Sequence, residues 1–322
     1  MYQETLIEEI KKSLNEHDSV NEAIAEALRI SYDAAHRRTS LKAKFSLEES
    51  ILLANYFNLS LDELYGKINE RFVSVKRTKQ IHNEEDLQQY FDTSYSALLP
   101  LLNRVDCEVF YSAKDIPIFY TLENNRLSHF KMYVWLKLLD DDFRNISFSS
   151  YVPKISTIQS ARKLGELYSD LKTSEIWDIT TINSTLKQIH FYYKAGQVDI
   201  KEALILCTQL KELLNEISLK VIAKNDEHKI FYNELLLMNN NVLIVTPKEQ
   251  SLFVPCAMLS YFNTSDIITC LEAKQYFDKQ LYHSKLMNTS GEKEQNQFYN
   301  KLVQKIDALI SLIKASEILD FE

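Results

Sequence analysis

The sequence predicts a mainly α protein, in which an N-terminal bundle of short helices precedes a large helical domain with one small β-hairpin. Three observations predict this. Apolar residues recur at spacings of three and four in short segments up to residue 68, and in longer segments from residue 84 onward. A polar, basic stretch, "RFVSVKRTKQIHNEED", separates the two regions. Only two stretches in the second region interrupt the helical pattern. The expected organisation is a domain over 1–68, a linker over 69–83 and a domain over 84–322.

Helix signals in the first domain are local and clear. "ETLIEEIKKSL" and "VNEAIAEAL" each predict a short amphipathic helix, with apolar residues four apart at Leu6, Ile10 and Leu14, and at Val20, Ile24 and Leu28. Ser31 is placed to cap a third helix, "SYDAAHRR". Ser46 opens "SLEESILLANYFN" with Glu49 three residues later, the pattern of a capping box. These signals predict four helices in close succession.

The second domain is predicted to consist of seven helices and a hairpin. The candidate helices are 84–103, 123–141, 155–171, 176–195, 199–224, 264–288 and 292–317. "CEVFYSAKDIPIFY" is β-branched and aromatic, and Pro117 argues against a continuous helix there. "NNVLIVTPKEQSLFVPCA" predicts two short strands around a turn, the small β-hairpin of this fold class.

Composition excludes several classes of protein. No apolar run approaches the ~20 residues of a membrane span, and the N-terminus lacks the basic and apolar regions of a signal peptide. We therefore expect no membrane partner. The four cysteines, Cys107, Cys207, Cys256 and Cys270, are far apart and form no C-x-x-C pair. Buried, reduced thiols in a cytoplasmic protein explain this spacing best.

No local motif indicates an enzyme. The four glycines are scattered singly, so no glycine-rich phosphate loop and no G-x-S-x-G motif can be written. The seven histidines form no pair with metal-ligand spacing. Asp115 and the run 140–142 could serve as metal carboxylates, although a solvated helix end explains the run better. We expect no cofactor, no metal and no catalytic residues, while a site assembled from distant residues stays open.

Positive charge is concentrated in "RISYDAAHRRTSLKAKF", residues 29–45. This segment carries five Lys or Arg residues and His36 against one acid, Asp33, in a chain of net charge -8. The short helix from residue 20, the corner after it and the helix from Ser31 together form a helix-turn-helix pattern.

"NEAIAEALRISYDAAHRR", followed by "FSLEESILLANYFNLSLDELY", resembles the DNA-binding domain of the lambda-repressor-like family of transcriptional regulators. Ile24, Leu28 and Ile30 fall where that family packs the corner. Ala25 falls where a small residue lets the helices approach. Arg29 replaces the glycine that is usual at the corner, and Arg38 occupies a normally apolar position. The remainder is similar to uncharacterised bacterial regulators with an "AKDIP.F"-like segment.

The resemblance and the helical spacing together predict a DNA-binding surface. The outer face of the second helix would enter the major groove, where Arg bonds guanine and Asp accepts from cytosine. Other polar residues would hold phosphates and set the register. The predicted DNA-binding residues are Asn21, Ser31, Tyr32, Asp33, His36, Arg37, Arg38, Ser40, Lys42 and Lys44. Of these, Asn21, Arg38, Lys42 and Lys44 are the expected phosphate contacts.

The predicted function is that of a sequence-specific regulator that binds double-stranded DNA as a homodimer and responds to a small-molecule or peptide effector. Residues 1–70 hold eight basic and thirteen acidic residues, which is unfavourable for a strong DNA binder. The alternative is an interaction protein, an adaptor or antitoxin, whose head holds a protein partner. An enzyme fused to a DNA-binding head is the third class, and no motif supports it.

Two features of the second domain each allow two interpretations. Apolar seams at steps of three and four, over 200–221 and 298–313, are either a dimer interface or the core of the domain. Core is favoured for each, and the last helix is the choice if one forms the dimer. An aromatic cluster either lines a ligand pocket or packs in the core: Phe110, Tyr111, Phe119, Tyr120, Phe130, Tyr133 and Trp135.

Overall fold

The computed structural model describes residues 2–15, 18–61, 64, 73–223, 227–235 and 239–318. Contacts between Cα atoms divide the chain into two compact units, Met1–Ser74 and Val75–Glu322. We call the first unit the head and the second the sheet unit. The last residues of the predicted head, 65–68, and the start of the predicted linker, 69–72, lie outside the described residues.

In its described residues the head forms the short helices α1 (Tyr2–Ser13), α2 (Val20–Leu28), α3 (Tyr32–Thr39) and α4 (Leu47–Tyr56). Their apolar faces meet in one core, at whose centre Leu6, Ile10, Ile24, Ala35 and Leu53 are buried. Burial of apolar surface of this kind contributes about 25 cal/mol per Å² and holds together helices that are too short to be stable alone.

Side-chain caps fix where these helices begin. Ser31 accepts a hydrogen bond from the backbone N–H of Ala34, so the predicted N-cap of α3 is confirmed. The predicted capping box of α4 is also confirmed. Ser46 Oγ accepts from the Glu49 N–H at 3.1 Å, and Glu49 Oε2 accepts from the Ser46 N–H at 2.9 Å.

The corner between α2 and α3 is a left-handed turn at Arg29. This residue has φ 53° and ψ 43°, and its N–H donates to the Glu26 carbonyl at 3.1 Å. The next N–H, of Ile30, donates to the Ala25 carbonyl at 3.0 Å, which completes a Schellman motif. Glycine is usual at such a position because a Cβ there costs about 1–2 kcal/mol. The corner thus has the expected geometry, and Arg29 adopts it at a cost in backbone strain.

The sheet unit is built on an eight-stranded mixed sheet, so the prediction of a mainly helical domain with one small hairpin is wrong. The strands are β1 (Lys76–Arg77), β2 (Glu108–Ala113), β3 (Thr173–Trp177), β4 (His228–Tyr232), β5 (Val242–Val245), β6 (Gln250–Ala257), β7 (Ser260–Thr264) and β8 (Lys285–Leu286). Their order is β1-β7-β6-β5-β2-β3-β4-β8. The pairs β2–β3 and β3–β4 are parallel and the others are antiparallel. The predicted hairpin exists as β5 and β6, inside this larger sheet.

The predicted helices of this unit are present, most of them shorter than expected. They are α5 (Glu84–Leu98), α6 (Arg126–Leu139), α7 (Ile155–Ser169), α8 (Asn183–Lys194), α9 (Ile200–Ile222), α10 (Ile267–Tyr282) and α11 (Glu292–Ile318). The candidate helix over 176–195 begins in β3, and the candidate over 264–288 covers the end of β7, all of α10 and β8. Strand residues were therefore assigned to helices at both places.

Two cores lie in the sheet unit. The larger contains the seams of α9 and α11, which contact each other: Cys207, Leu210, Leu302 and Ile306 are all fully buried there. The seam of the last helix is covered by this chain's own α9, so this seam packs in the core, which is the favoured interpretation. The smaller core packs Phe277 of α10 against Phe110, Ile176 and Leu243 of the strands.

The predicted linker is structured from residue 75 onward as part of the sheet unit. Lys76 pairs with Asn263 and Arg77 with Phe262 of β7, and Ile81 is buried in the larger core. Within the parts of the chain that the structure describes, no helix combines the length and apolarity that crossing a membrane requires.

Candidate functional site

The second helix of the helix-turn-helix, α3, has one buried and one exposed side. Ala35 is fully buried against the head core, whereas Tyr32 is 51% exposed. Asp33, His36 and Arg37 are exposed as well. The helical spacing that predicts this outer face therefore agrees with the observed burial.

Aromatic stacking orders part of the outer face. The rings of Tyr32 and His36 are parallel within 6°, with their centroids 6.4 Å apart. Ser31 and Ser40 lie at the two ends of the helix, both exposed. Ser31 is the N-cap, and the Ser40 hydroxyl donates to the His36 carbonyl at 2.6 Å. Ser31 therefore caps the start of α3, and Ser40 makes a hydrogen bond at its end.

Asn21, at the start of α2, connects the two helices of the motif. Its Oδ1 accepts from the Thr39 hydroxyl at 2.5 Å, and its Nδ2 donates to the Tyr32 hydroxyl at 3.3 Å. Asn21 is half-buried. Both ends of its amide are used within the motif, so Asn21 sets the position of α3 relative to α2.

Arg38 points into the head. Its Nη2 lies 2.7 Å from Glu49 Oε1, its Nε donates to Glu49 Oε2 at 3.2 Å, and its Nη1 donates to the Ala34 carbonyl at 3.0 Å. Burial alone would raise the pKa of Glu49, but hydrogen bonds from Arg38 and Ser46 outweigh it and hold this pKa below its usual value. Arg38 thus packs against the head at a position where an apolar residue is usual. Its guanidinium is engaged there by the Glu49 carboxylate and the Ala34 carbonyl.

Lys42 and Lys44 are exposed in the segment that follows α3. Leu41 turns the chain with φ 61°, and the Ala43 N–H donates to the Arg37 carbonyl at 2.9 Å. The Gln3 amide on α1 donates to the Ala43 carbonyl at 2.8 Å. The two lysines therefore extend from a backbone that is tied to both α1 and α3.

Acidic side chains stand near this basic surface. Glu22 and Glu26 of α2 are exposed, as is Glu48 of α4. Arg29, at the corner, is exposed and cationic. Within the helix-turn-helix segment the positive charge therefore lies on α3, the corner and residues 42–44, and acidic side chains of α2 and α4 accompany it on the head.

Comparisons with protein families, with curated proteins and with solved structures find no match to this chain. Function must therefore be argued from the geometry of its own residues.

The sheet unit contains a buried polar network that the sequence analysis missed. Glu175, in the middle of β3, is fully buried. Its carboxylate accepts three hydrogen bonds, from the Tyr120 hydroxyl at 2.9 Å, the Tyr168 hydroxyl at 2.7 Å and the Trp177 indole N–H at 2.7 Å. A buried carboxylate is tolerated only when it is hydrogen-bonded in this way.

His228 of β4 extends the network. Its Nδ1 lies 2.6 Å from the Thr173 hydroxyl, and its Nε2 contacts the Tyr120 hydroxyl. Burial lowers the pKa of His228, which outweighs the raising effect of Glu175. With a neutral ring, one chain of donors satisfies every member: Thr173 donates to Nδ1, Nε2 to Tyr120, and Tyr120 to Glu175. The hydrogen bonds of these groups therefore run from one member of the network to the next.

The aromatic cluster of the sequence analysis divides between cavities and core. Phe119 and Tyr120, with Tyr168, line a cavity of about 390 Å³ between α7 and α9. Tyr111 and Phe119 line a second cavity, beside α5. The remaining four, Phe110, Phe130, Tyr133 and Trp135, are buried in the cores. Both interpretations therefore apply, to different members.

The carboxylates proposed as metal ligands have other contacts in the structure. The run 140–142 follows α6 and caps a short 3-10 helix, and Asp141 pairs with Arg144 at 2.6 Å. Among the described residues, no group of three His, Cys, Asp or Glu side chains is arranged to hold a metal ion. All four cysteines are free thiols, of which Cys256 is exposed.

Proposed function

We propose that this chain is a sequence-specific DNA-binding transcriptional regulator whose head reads the major groove with α3. One observation carries the proposal. The buried side of α3 is fixed on the core by Ala35 and to α2 by Asn21, while Asp33, His36 and Arg37 stand exposed on the other side. A rigidly held short helix with exposed polar side chains near its N-terminus is the arrangement by which helix-turn-helix proteins contact bases.

Each exposed residue has a role that suits its chemistry. Arg37 can donate two hydrogen bonds to one guanine, and Asp33 can accept from a cytosine amine. Lys42 and Lys44, exposed beside α3, supply charge for phosphates without reading sequence. Arg38 and Asn21 act as positioning residues, because their polar groups are engaged inside the head.

We further propose that the regulator acts as a homodimer in the cytoplasm. A single head offers one short helix and has more acids than bases, so one head alone would bind DNA weakly. Two linked heads gain affinity through effective concentration. A two-fold dimer requires a pseudo-palindromic site with half-sites about 34 Å apart, or a multiple of that distance.

The test is selection of bound sequences from random DNA by the full-length protein, followed by titration of variants. Arg37→Ala should lose about 1–3 kcal/mol on the selected site and relax preference at one position. Lys44→Ala should weaken all sequences alike and reduce the salt slope by about one. Lys12→Ala is the matched control, since Glu9 pairs with this lysine at 2.6 Å. Equal losses on selected and random DNA for Arg37→Ala would remove the base contact.

One observation favours a second candidate, an adaptor or antitoxin that binds a protein through its head. Helix α4 exposes a row of apolar side chains: Leu47 at 76%, Ile51 at 44%, Leu52 at 53% and Tyr56 at 53%. Exposed apolar residues grouped on one helix are typical of protein contacts. Ile51→Glu should abolish capture of such a partner and leave DNA binding unchanged. Loss of DNA binding in this variant, with the head still folded, would instead assign α4 to the DNA-bound assembly.

A further inference from the structure

The cavity beside α5 lies wholly within the sheet unit. It measures about 440 Å³ and is bounded by α5, by residues 78–80 and by side chains of β2, β5, β6 and β7. Pockets that hold small organic molecules typically measure about 300–1,000 Å³. The cavity is therefore large enough for a compact two- or three-ring molecule, and too small for a folded peptide helix.

Most of the wall is apolar. It is formed by Leu98, Ile118, Phe119, Val242, Ile244 and Phe253. Leu98 and Ile118 also belong to the larger core, so this wall is continuous with the rigid interior. Surfaces of this kind favour an occupant that removes apolar area from water.

Three tyrosine hydroxyls add polar groups to the apolar wall. Tyr90 comes from α5, Tyr111 from β2 and Tyr261 from β7. Tyr90 is hydrogen-bonded with Ser94, and Tyr111 with Tyr261. Burial raises the pKa of all three, and repulsion from a neighbouring phenolate or carboxylate adds to it, so they remain neutral hydroxyls. Because a hydroxyl donates one hydrogen bond and accepts two, each keeps capacity for a further partner.

The rim of the cavity carries no unpaired charge among its described residues. Lys79 reaches Asp86 at 2.9 Å and Gln89 at 2.7 Å. Lys79 and Asp86 are the basic and the acidic residue of the described lining, and they pair with each other. A charged ligand would lose its hydration without gaining a counter-ion, whereas a neutral ligand would not.

We propose that this cavity is a binding site for a small, uncharged, mainly apolar molecule that carries one hydrogen-bonding group. The apolar wall holds the body of the molecule, and the hydroxyls of Tyr90, Tyr111 and Tyr261 hold its polar group. Thr78 connects the site to the sheet edge, since its N–H donates to the Tyr261 carbonyl at 3.0 Å and its hydroxyl accepts from the Tyr261 N–H at 2.9 Å. An occupant that touches Tyr261 therefore also stabilises the pairing of residues 76–78 with β7.

The experiment titrates the full-length protein, without DNA, with two fluorescent probes of one ring skeleton. N-phenyl-1-naphthylamine is neutral, and 8-anilinonaphthalene-1-sulfonate adds a single negative charge. We expect the neutral probe to bind saturably with a stoichiometry of one. The sulfonate should bind more than about tenfold more weakly, because its charge finds no partner in the cavity. Equal binding of both probes, or no saturable binding of the neutral one, would overturn the proposal.

Variants on α5 locate the bound probe. Ala97 and Thr93 line the cavity and are exposed, so Ala97→Trp and Thr93→Trp are each expected to add an indole to its lining. Ser96→Trp is the matched control, exposed on the same helix but outside the lining. Both cavity variants should lose probe binding by at least about tenfold, while the control and the circular dichroism spectra stay unchanged. If neither cavity variant weakens binding although both fold, the probe lies elsewhere and the assignment is wrong. If one variant misfolds, the other decides the result.

Discussion

The pair Arg38–Glu49 offers a quantitative test of how the head is held together. Glu49 has two tasks, since it completes the capping box of α4 and receives the Arg38 guanidinium through two hydrogen bonds. Glu49→Gln separates them, because glutamine also serves in a capping box but carries no charge. Charge-assisted hydrogen bonds are worth about 1.5–3 kcal/mol each when desolvated. The two side chains are 20% and 21% exposed, so we expect a loss of about 1–2 kcal/mol in total.

Hydrogen exchange by mass spectrometry measures this loss in the full-length protein. Protection of peptides from α3 and α4 should fall by about one order of magnitude in Glu49→Gln, while peptides of the sheet unit stay unchanged. The effect should depend on pH. The pKa of Glu49 is lower in the folded head than in the unfolded chain, so its contribution is complete above pH ~4.3. It is lost as pH falls through the folded value, and Glu49→Gln should lack this pH step.

A second variant of this pair tests whether Arg38 stabilises the head or contacts DNA phosphates. Arg38→Met should lower the protection of α3 but leave the salt slope of binding to random DNA unchanged, because its guanidinium is engaged by Glu49. Lys42→Ala should do the reverse, lowering the slope by about 0.9 without affecting stability. A lower salt slope for Arg38→Met, with protection of α3 intact, would refute the reasoning and return Arg38 to the phosphates.

Three further predictions test individual residues. Arg29→Gly should stabilise the head by about 0.5–1 kcal/mol, because the backbone strain that is relieved exceeds the conformational entropy that the unfolded chain gains. Hydrogen-exchange protection of α2 and α3 measures this gain. Gly165→Ala should destabilise the sheet unit by about 1–3 kcal/mol in urea, because its Cβ would meet the Phe119 carbonyl oxygen at 3.0 Å; Gly291→Ala, with open space around it, should not. Burial lowers the pKa of His228, so its contribution is complete above pH ~6.5 and is lost as pH falls below that. The urea midpoint should therefore drop towards pH 5.5, and His228→Gln should reduce that drop.

The head could be predicted from sequence because its signals are local. A serine at the start of α3, a serine and glutamate three apart at α4, and alanine on the inner face of α3 each act within a few residues. Arg38 was placed on its correct helix, but its partner was not foreseen. Glu49 is eleven residues away, and nothing local distinguishes an arginine bound to a carboxylate from one that awaits a phosphate.

The sheet could not be predicted because its strands are short and their partners distant. β3 has five residues, all buried, and therefore shows no alternation of apolar and polar side chains. It also contains Ser174 and Glu175, which a buried strand rarely carries. The partners that make Glu175 tolerable, Tyr120, Tyr168 and Trp177, come partly from segments far along the chain. Only β2 and the β5–β6 hairpin contain enough β-branched and aromatic residues to interrupt the helical pattern of the sequence.

The pairing of β1 with β7 has a consequence for synthesis on the ribosome. Lys76 leaves the ribosome early, but its partner Asn263 follows about 190 residues later, which takes roughly 10–40 s when synthesis adds about 5–20 residues per second. The described contacts of the head core, by contrast, are available once residue 64 has emerged. During that interval the nascent chain has the residues of the described head core, whereas its edge strand β1 lacks a partner. Chaperone binding to stalled chains should therefore centre on residues 75–82, and should end when β7 is released.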